Sequence, residues 1–313
     1  MKIYLAGATG ALGTRLLPLL TGAGHDVVAT TRSAGKAAQL TAAGATPAVV
    51  DALDADAVMD SVAEARPDVV IHQLTSLSGT LNLKKFDEYF AATNALRSRG
   101  TENLLMAARA AGTKRVLVQS YAGWPNDRTG SAVKTEDDPL DPTPASAARQ
   151  THAAISALES MVTGAHDLEG LVLRYGAFYG PGTGWSADGD TAAMVRKRKF
   201  PIVGGGTGIW SFVHIDDAAA ATAAAVERGA PGIYNIVDDD PAPVSAWLPY
   251  LAEALGGKPP RRLPVWLAKP MIGDQGIAMM TSTRGSSNAK ARRELAWTPT
   301  YPSWRKGFRA LNG

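Results

Sequence analysis

With 313 residues, 45% of them hydrophobic and 19% charged, the chain has the balance of an ordinary globular protein and suits one α/β domain with a smaller lobe. Its net charge of +3 is too weak to point to nucleic acid or a membrane surface, and zero cysteines exclude disulfides, thiolate metal sites and a thiol nucleophile. The opening "MKIYLAGATG" breaks quickly into glycines and no apolar run approaches the roughly 18 residues of a membrane span, so no cleavable signal and a cytoplasmic location are expected.

The first half alternates two hydrophobic periods. Short Val-, Ile- and Leu-rich runs at 2–7, 26–32, 46–51, 68–74 and 115–120 read as strands. Helical patterns follow at 11–24, 34–43, 54–65 and 84–111. Near-continuous apolar strands, each followed by a helix, predict a parallel sheet covered on both faces, and right-handed crossovers make it doubly wound. The second half continues with an amphipathic helix at 146–163, a strand at 168–176, an Ala-rich helix at 216–228 and a strand at 232–238. Pro- and Gly-rich stretches at 122–145, 176–190, 203–209, 256–264 and 273–288 have no period and read as irregular insertions. The expected division is a nucleotide-binding domain over 1–175, completed by 212–238, and a substrate lobe from 176–211 and 239–313.

"GATGALG" sits between the first strand and the first helix. Gly7, Gly10 and Gly13 permit a tight turn and close approach of backbone to a pyrophosphate, with Thr9, Ala11 and Leu12 completing the loop and the helix N-terminus facing the anion. The second strand ends in "ATTRSAGK", with no carboxylate for a ribose 2′-hydroxyl. Arg32, helped by Ser33 or Lys36, suits a 2′-phosphate instead, so NADP(H) is favoured over NAD(H). Asp51 closes the third strand, where it meets an adenine amino group or caps the helix opened by "DALD".

Further motifs carry a resemblance: "VVIHQLTS", "FAATNALRSRGTENLL", "LRYGAFYGPG", "WSFVHIDDAAAA" and "GIYNIVDDDP" follow the glycine loop in order. Together they resemble the extended short-chain dehydrogenase/reductase family, in its NAD(P)-dependent epimerase/dehydratase branch, from residue 1 to about 240. The resemblance implies a doubly wound Rossmann sheet with a smaller C-terminal substrate lobe. It also implies that backbone at Leu74 and Thr75 approaches the nicotinamide ribose, that Asn94 holds water or backbone beneath the site, and that Tyr175 lies near the nicotinamide carboxamide. His72 and His214 are given structural roles.

The family's proton donor is a Tyr-x-x-x-Lys pair on the helix after strand five, where four residues set both side chains on one face and the ammonium lowers a phenol pKa that starts at about 10. This chain lacks it. Aligning Glu159 with the family's glutamate puts Thr151 at the tyrosine position and Ile155 at the lysine position, counting from the "DPLDPTP" loop gives Ala145 and Arg149 instead, and no tyrosine has a lysine four residues on. Three replacements are weighed. Tyr121 at the end of strand five donates to a carbonyl, or packs on the second lobe. Ser120 lies near the site but is too weak an acid alone. His152 titrates near neutrality beside the vacant position, or is a surface histidine, since adjacent helix residues point about 100° apart.

Trp124, Trp185 and Trp210 fall in segments expected around the cleft, and Ile209 and Trp210 stand where sugar-nucleotide members carry an arginine. An apolar pocket for a small carbonyl or enone compound follows. No metal site is expected, because "HIDD" and "VDDDP" match structural turns, and no serine-hydrolase elbow is present. The leading expectation is an NADP-dependent oxidoreductase with a non-standard proton donor, with a non-catalytic NADP(H) sensor and a non-redox isomerase or cyclase as alternatives. A small-molecule substrate is the expected partner, and the Ala-rich faces of helices 84–111 and 146–163 permit a homodimer.

Overall fold

The computed structural model describes residues 1–77 and 81–312. Seven strands form the central sheet: β1 (Lys2–Ala6), β2 (Asp26–Thr31), β3 (Thr46–Val49), β4 (Val69–His72), β5 (Arg115–Tyr121), β6 (Glu169–Tyr175) and β7 (Gly232–Ile236). Their spatial order is β3-β2-β1-β4-β5-β6-β7 and every pairing is parallel. The order reverses between β1 and β4, which opens a crevice beyond the strands' carboxyl ends, where doubly wound sheets hold their ligands.

The strand period of two divides the core. Ile3 and Leu5 of β1 pack with helix α1 (Gly13–Gly22) and the Ala-rich α7 (Ile215–Ala225), while Tyr4 and Ala6 face α3 (Ala55–Ala65), α5 (Thr101–Ala110) and α6 (Arg149–Thr163). Between α1 and α3 runs the short α2 (Ala37–Ala42). Strand β3 is a half-exposed edge and ends at Val49, two residues short of the expected boundary.

The expected long helix 84–111 runs through four segments. A 3₁₀ turn at Leu83–Lys85 leads into α4 (Phe86–Ala95), a π-turn covers Leu96–Gly100, and α5 follows. A π-turn adds a residue to one helical turn and rotates what it carries, here the buried Arg97.

A third apolar cluster draws on segments after β6, including Tyr179, Phe212, Trp247, Trp304 and Phe308. One expectation is corrected here. The stretch 273–288, expected to be irregular, continues a helix spanning Val265–Thr281, with a kink at Gly273 (φ +67°). Pro270, Gly273 and Gly276 hide the helical period from the sequence, while apolar packing against the lobe holds the helix. Among the described residues no helix is long and apolar enough to cross a membrane.

Candidate active site

The glycine loop lies at the crevice. Gly7 adopts φ +97°, and a Cβ there would lie 2.6 Å from the Gln73 carbonyl oxygen, so only glycine fits. A Cβ on Gly13 would come within 2.7 Å of Ala8 Cα, so this glycine lets α1 pack down on the loop. Gly10 differs. It is exposed, and a Cβ would meet only the Gly7 oxygen at 3.4 Å, with open space beyond. Among the described residues no acceptor meets the amides of Ala11, Leu12 and Gly13. Unpaired N–H groups at the positive end of α1, beside an open backbone, have the chemistry of an anion cradle that fits a pyrophosphate.

At the end of β2 the Thr31 hydroxyl accepts the Ser33 amide (3.1 Å). Arg32 and Lys36 are exposed, and among the described residues neither side chain has an ion pair or hydrogen bond. Asp51 accepts the Leu53 amide (3.0 Å), whereas the cap of α3 is Asp54, which accepts the Ala57 amide (3.1 Å). The helix-cap role weighed for Asp51 therefore falls to its neighbour three residues on.

Beyond β4, Leu74 has both backbone groups engaged: its amide donates to His72 Nδ1 (3.1 Å) and its carbonyl accepts from Gln119 Nε2 (3.3 Å). Thr75 is exposed. Because Nδ1 accepts, the His72 proton sits on Nε2 and is donated to the Leu96 carbonyl at 3.3 Å. Burial drives this imidazole down to about 4, so it is neutral and structural. Tyr175 is placed away from the crevice surface. It is 2% exposed, and its hydroxyl is bound by Gln73 Nε2 (3.0 Å) and Thr222 Oγ1 (2.7 Å). Its hydroxyl is therefore spent inside the core and is not free to meet a nicotinamide carboxamide.

The helix α6 carries no acid–base pair. Thr151 and Ile155 are both fully buried. The Thr151 hydroxyl donates to Asp87 Oδ1 (2.7 Å) and accepts from Asn94 Nδ2 (3.0 Å), while Asp87 also receives the amides of Gln150 and Thr151. Asn94 thus ties α4 to α6 by a side-chain bond. One turn further on, Glu159 forms a bidentate pair with Arg174 (2.8 and 2.6 Å) and accepts the Ser120 hydroxyl at 2.7 Å. Ser120 and Arg174 are register partners on β5 and β6, so both meet α6 side by side. Ser120, weighed as a replacement donor near the site, is corrected on this ground: its proton is directed at a buried carboxylate.

Tyr121, the next residue, is left with a free hydroxyl. It is half-buried, and among the described residues nothing hydrogen-bonds its oxygen. Burial pushes its phenol up to about 12, against the pull of the Arg97 guanidinium, so it is a neutral hydrogen-bond donor at physiological pH. Its ring lies 6.2 Å from that of Trp124, which continues to Phe86 (5.1 Å) and His152 (6.4 Å). His152 donates through Nε2 to the Pro125 carbonyl at 3.3 Å, which places it in this wall rather than free on the surface.

The three tryptophans do not share one pocket. Trp124 lines the wall beside Tyr121, but Trp185 and Trp210 stack with Trp247 and Phe212 in the lobe's aromatic core, and Trp210 Nε1 donates to the Met279 carbonyl at 2.8 Å. Trp210, 8% exposed, is corrected from a substrate contact to a core residue, whereas Trp185 is half-buried and packs against that core. Sequence reasoning missed Arg97 and the Asp87 clamp. The one available signal was charge inside an apolar pattern: Arg174 in "LVLRYG" demands a buried partner, which Glu159 supplies.

A doubly wound parallel sheet with a glycine-loop anion cradle at its switch point defines a nucleotide-binding α/β enzyme. Residues 3–237 match the NAD dependent epimerase/dehydratase family, and the chain belongs to it. It is 46% identical over 315 residues to a 3-diazoavenalumate denitrifying reductase of a Streptomyces species, covering 98% of this chain and 99% of that protein. It is 30% identical to the 2-alkyl-3-oxoalkanoate reductase of Stenotrophomonas maltophilia, over 82% of this chain and 76% of that one. The fold matches the Thermus thermophilus UDP-glucose 4-epimerase solved with NAD, at TM-score 0.74 and 23% identity over 100% of this chain and 98% of that chain. The protein is an enzyme, an oxidoreductase of the short-chain dehydrogenase/reductase type.

Proposed function

We propose that the chain is an NADP-dependent reductase that replaces a diazonium group on an aromatic substrate by hydrogen, releasing dinitrogen. The observation that carries this reading is the conversion of the acid–base positions to structure: Thr151 is clamped by Asp87 and Asn94, and Ile155 is fully buried. A carbonyl acceptor becomes an alkoxide and needs a proton, for which positioned acids contribute typically ~10²–10⁴-fold. A diazonium acceptor needs none. Bound NADPH supplies a hydride, so that a C–H bond forms as the C–N bond breaks, the C–N electron pair leaves with N₂, and arene, N₂ and NADP⁺ result with no proton taken up. The similarity to a diazo-denitrifying reductase supports this reading over the full chain.

The chain's own residues bind and orient. Amides of Ala11, Leu12 and Gly13 hold the pyrophosphate, and Arg32 with Ser33 and Lys36 takes the 2′-phosphate. Trp124 and Tyr121 offer a flat apolar wall to an arene. The test is stoichiometry: purified protein with a hydroxybenzenediazonium salt should consume one NADPH per N₂ released, with NADH a poorer donor. NADPH consumption without N₂ would sink the diazonium assignment.

A second reading is favoured by the free Tyr121 hydroxyl, which is placed like a hydrogen-bond donor for a small ketone or enone. The similarity to an oxoalkanoate reductase supports it. Tyr121→Phe separates the two, since ketone reduction should fall by the ~10²–10⁴-fold of a lost acid and diazonium reduction should not.

A further inference from the structure

Arg97 is a buried cation without a counter-ion. It is 8% exposed, yet among the described residues no carboxylate lies within ion-pair distance of it. Its protein contacts are one hydrogen bond, from Nη1 to Asn94 Oδ1 (3.1 Å), and the Phe90 ring beneath its Cζ at 5.6 Å. Glu159, whose charge acts on it, is taken by Arg174 and Ser120, and Asp87, joined to Asn94 through Thr151, is taken by Thr151 and two backbone amides. A guanidinium has five donors in a rigid fork; here Nη1 is bonded within the protein, while Nε and Nη2 are not among the sealed polar atoms left without a partner, so the fork's free edge is open to a ligand. Burial lowers it only to about 10, so it remains charged at neutral pH.

Its surroundings say what completes it. The π-turn Leu96–Gly100 carries it, and Phe90 packs on Phe86 (4.6 Å), which packs on Trp124, which packs on Tyr121. An open guanidinium edge and an unpartnered phenol O–H thus stand along one aromatic wall, and the guanidinium's charge opposes the upward shift that burial gives the phenol. We propose that Arg97 and Tyr121 form an anion site for an acidic oxygen on the substrate, a carboxylate or a phenolate, so that the enzyme selects acidic aromatic compounds. This rests on the reductase reading for its substrate and deepens it, since a diazonium ion beside an uncompensated Arg97 would be repelled unless the same molecule also carried an anion.

The site is tested by binding, independently of turnover. Calorimetry on the purified full chain, with and without NADP⁺, compares benzoate, 4-nitrophenolate and the neutral isostere benzamide. Wild-type protein should bind at least one of the acidic probes roughly tenfold or more tightly than benzamide, and Arg97→Met should abolish that preference while leaving benzamide affinity unchanged. Arg97→Lys should retain part of it, and Tyr121→Phe should weaken it less than Arg97→Met. Selective binding of benzoate identifies a carboxylate, and of 4-nitrophenolate a phenolate. Equal affinity for acids and amide in the wild type, or an acid preference untouched in Arg97→Met, overturns the proposal. The wild-type ratio and Arg97→Lys decide the matter if Arg97→Met does not fold. A missing diazonium activity would leave these ratios standing, so the two readings fail separately.

Discussion

Two regions a few residues apart along β5 have opposite characters. Under α6, every polar group that could move a proton is locked: Ser120 on Glu159, Glu159 on Arg174, Thr151 between Asp87 and Asn94. Along the Tyr121–Trp124 wall, a phenol and a guanidinium are held with donors to spare. In the first region the carboxylates and hydroxyls are satisfied within the protein, Arg174 Nη1 alone being left unpaired, and in the second the phenol is not, which is the difference between scaffold and site. The helix that carries the acid catalyst in relatives by resemblance has become scaffold here, and what remains can hold an anion but has no tuned acid–base pair.

The largest effect that sharpens this contrast comes from the locked side. Glu159→Ala leaves Arg174 buried and unpaired and should lower stability by about 3–5 kcal/mol, read by urea denaturation, whereas changing both Glu159 and Arg174 to Met should recover most of it. Next is His72, whose folded pKa lies near 4 against an ordinary value of 6.5. The folded chain binds that proton more weakly, so the unfolded state gains as acid is added. Stability present above pH 6.5 is lost as pH falls toward 4, by up to about 3 kcal/mol, and His72→Gln should flatten that limb of the pH–stability curve. An imidazole seen by NMR to protonate near pH 6.5 would break the assignment.

Smaller effects test the division of roles. Arg32→Ala should raise the NADPH KM roughly 10–100-fold, the loss of a charge-assisted phosphate contact, and leave the NADH KM unchanged. Thr151→Val should cost about 1–3 kcal/mol of stability by stranding Asp87 and Asn94, with kcat held near wild type. A kcat collapse in a folded Thr151→Val protein would return α6 to the chemistry.

Much of this was legible in the sequence, and the limits are physical. Near-continuous apolar strands such as "DVVIHQL" and "RVLVQS" announce a parallel sheet, and the glycines of "GATGALG" announce close backbone approach at Gly7 and Gly13. The missing tyrosine and lysine were also plain, since an absence at a fixed spacing needs no coordinates. Which way a side chain turns was not. Ser120 and Tyr121 are adjacent, and only the pairing of β5 with β6 reveals that the serine meets Glu159. Arg97 was hidden because "NALRSRG" reads as an ordinary polar helix, and only the π-turn carries that residue into the protein. Trp210 was misjudged because lobe core and cleft wall have the same aromatic composition.

The most direct measurement is the fate of the hydride. Dideuterated [4,4-²H₂]NADPH and a hydroxybenzenediazonium salt, incubated with the protein in ordinary water, should give N₂ and a phenol carrying deuterium at the carbon that lost nitrogen. A product with hydrogen from solvent at that carbon, or one that keeps its nitrogen, would contradict hydride transfer without a proton donor and return the site to carbonyl chemistry.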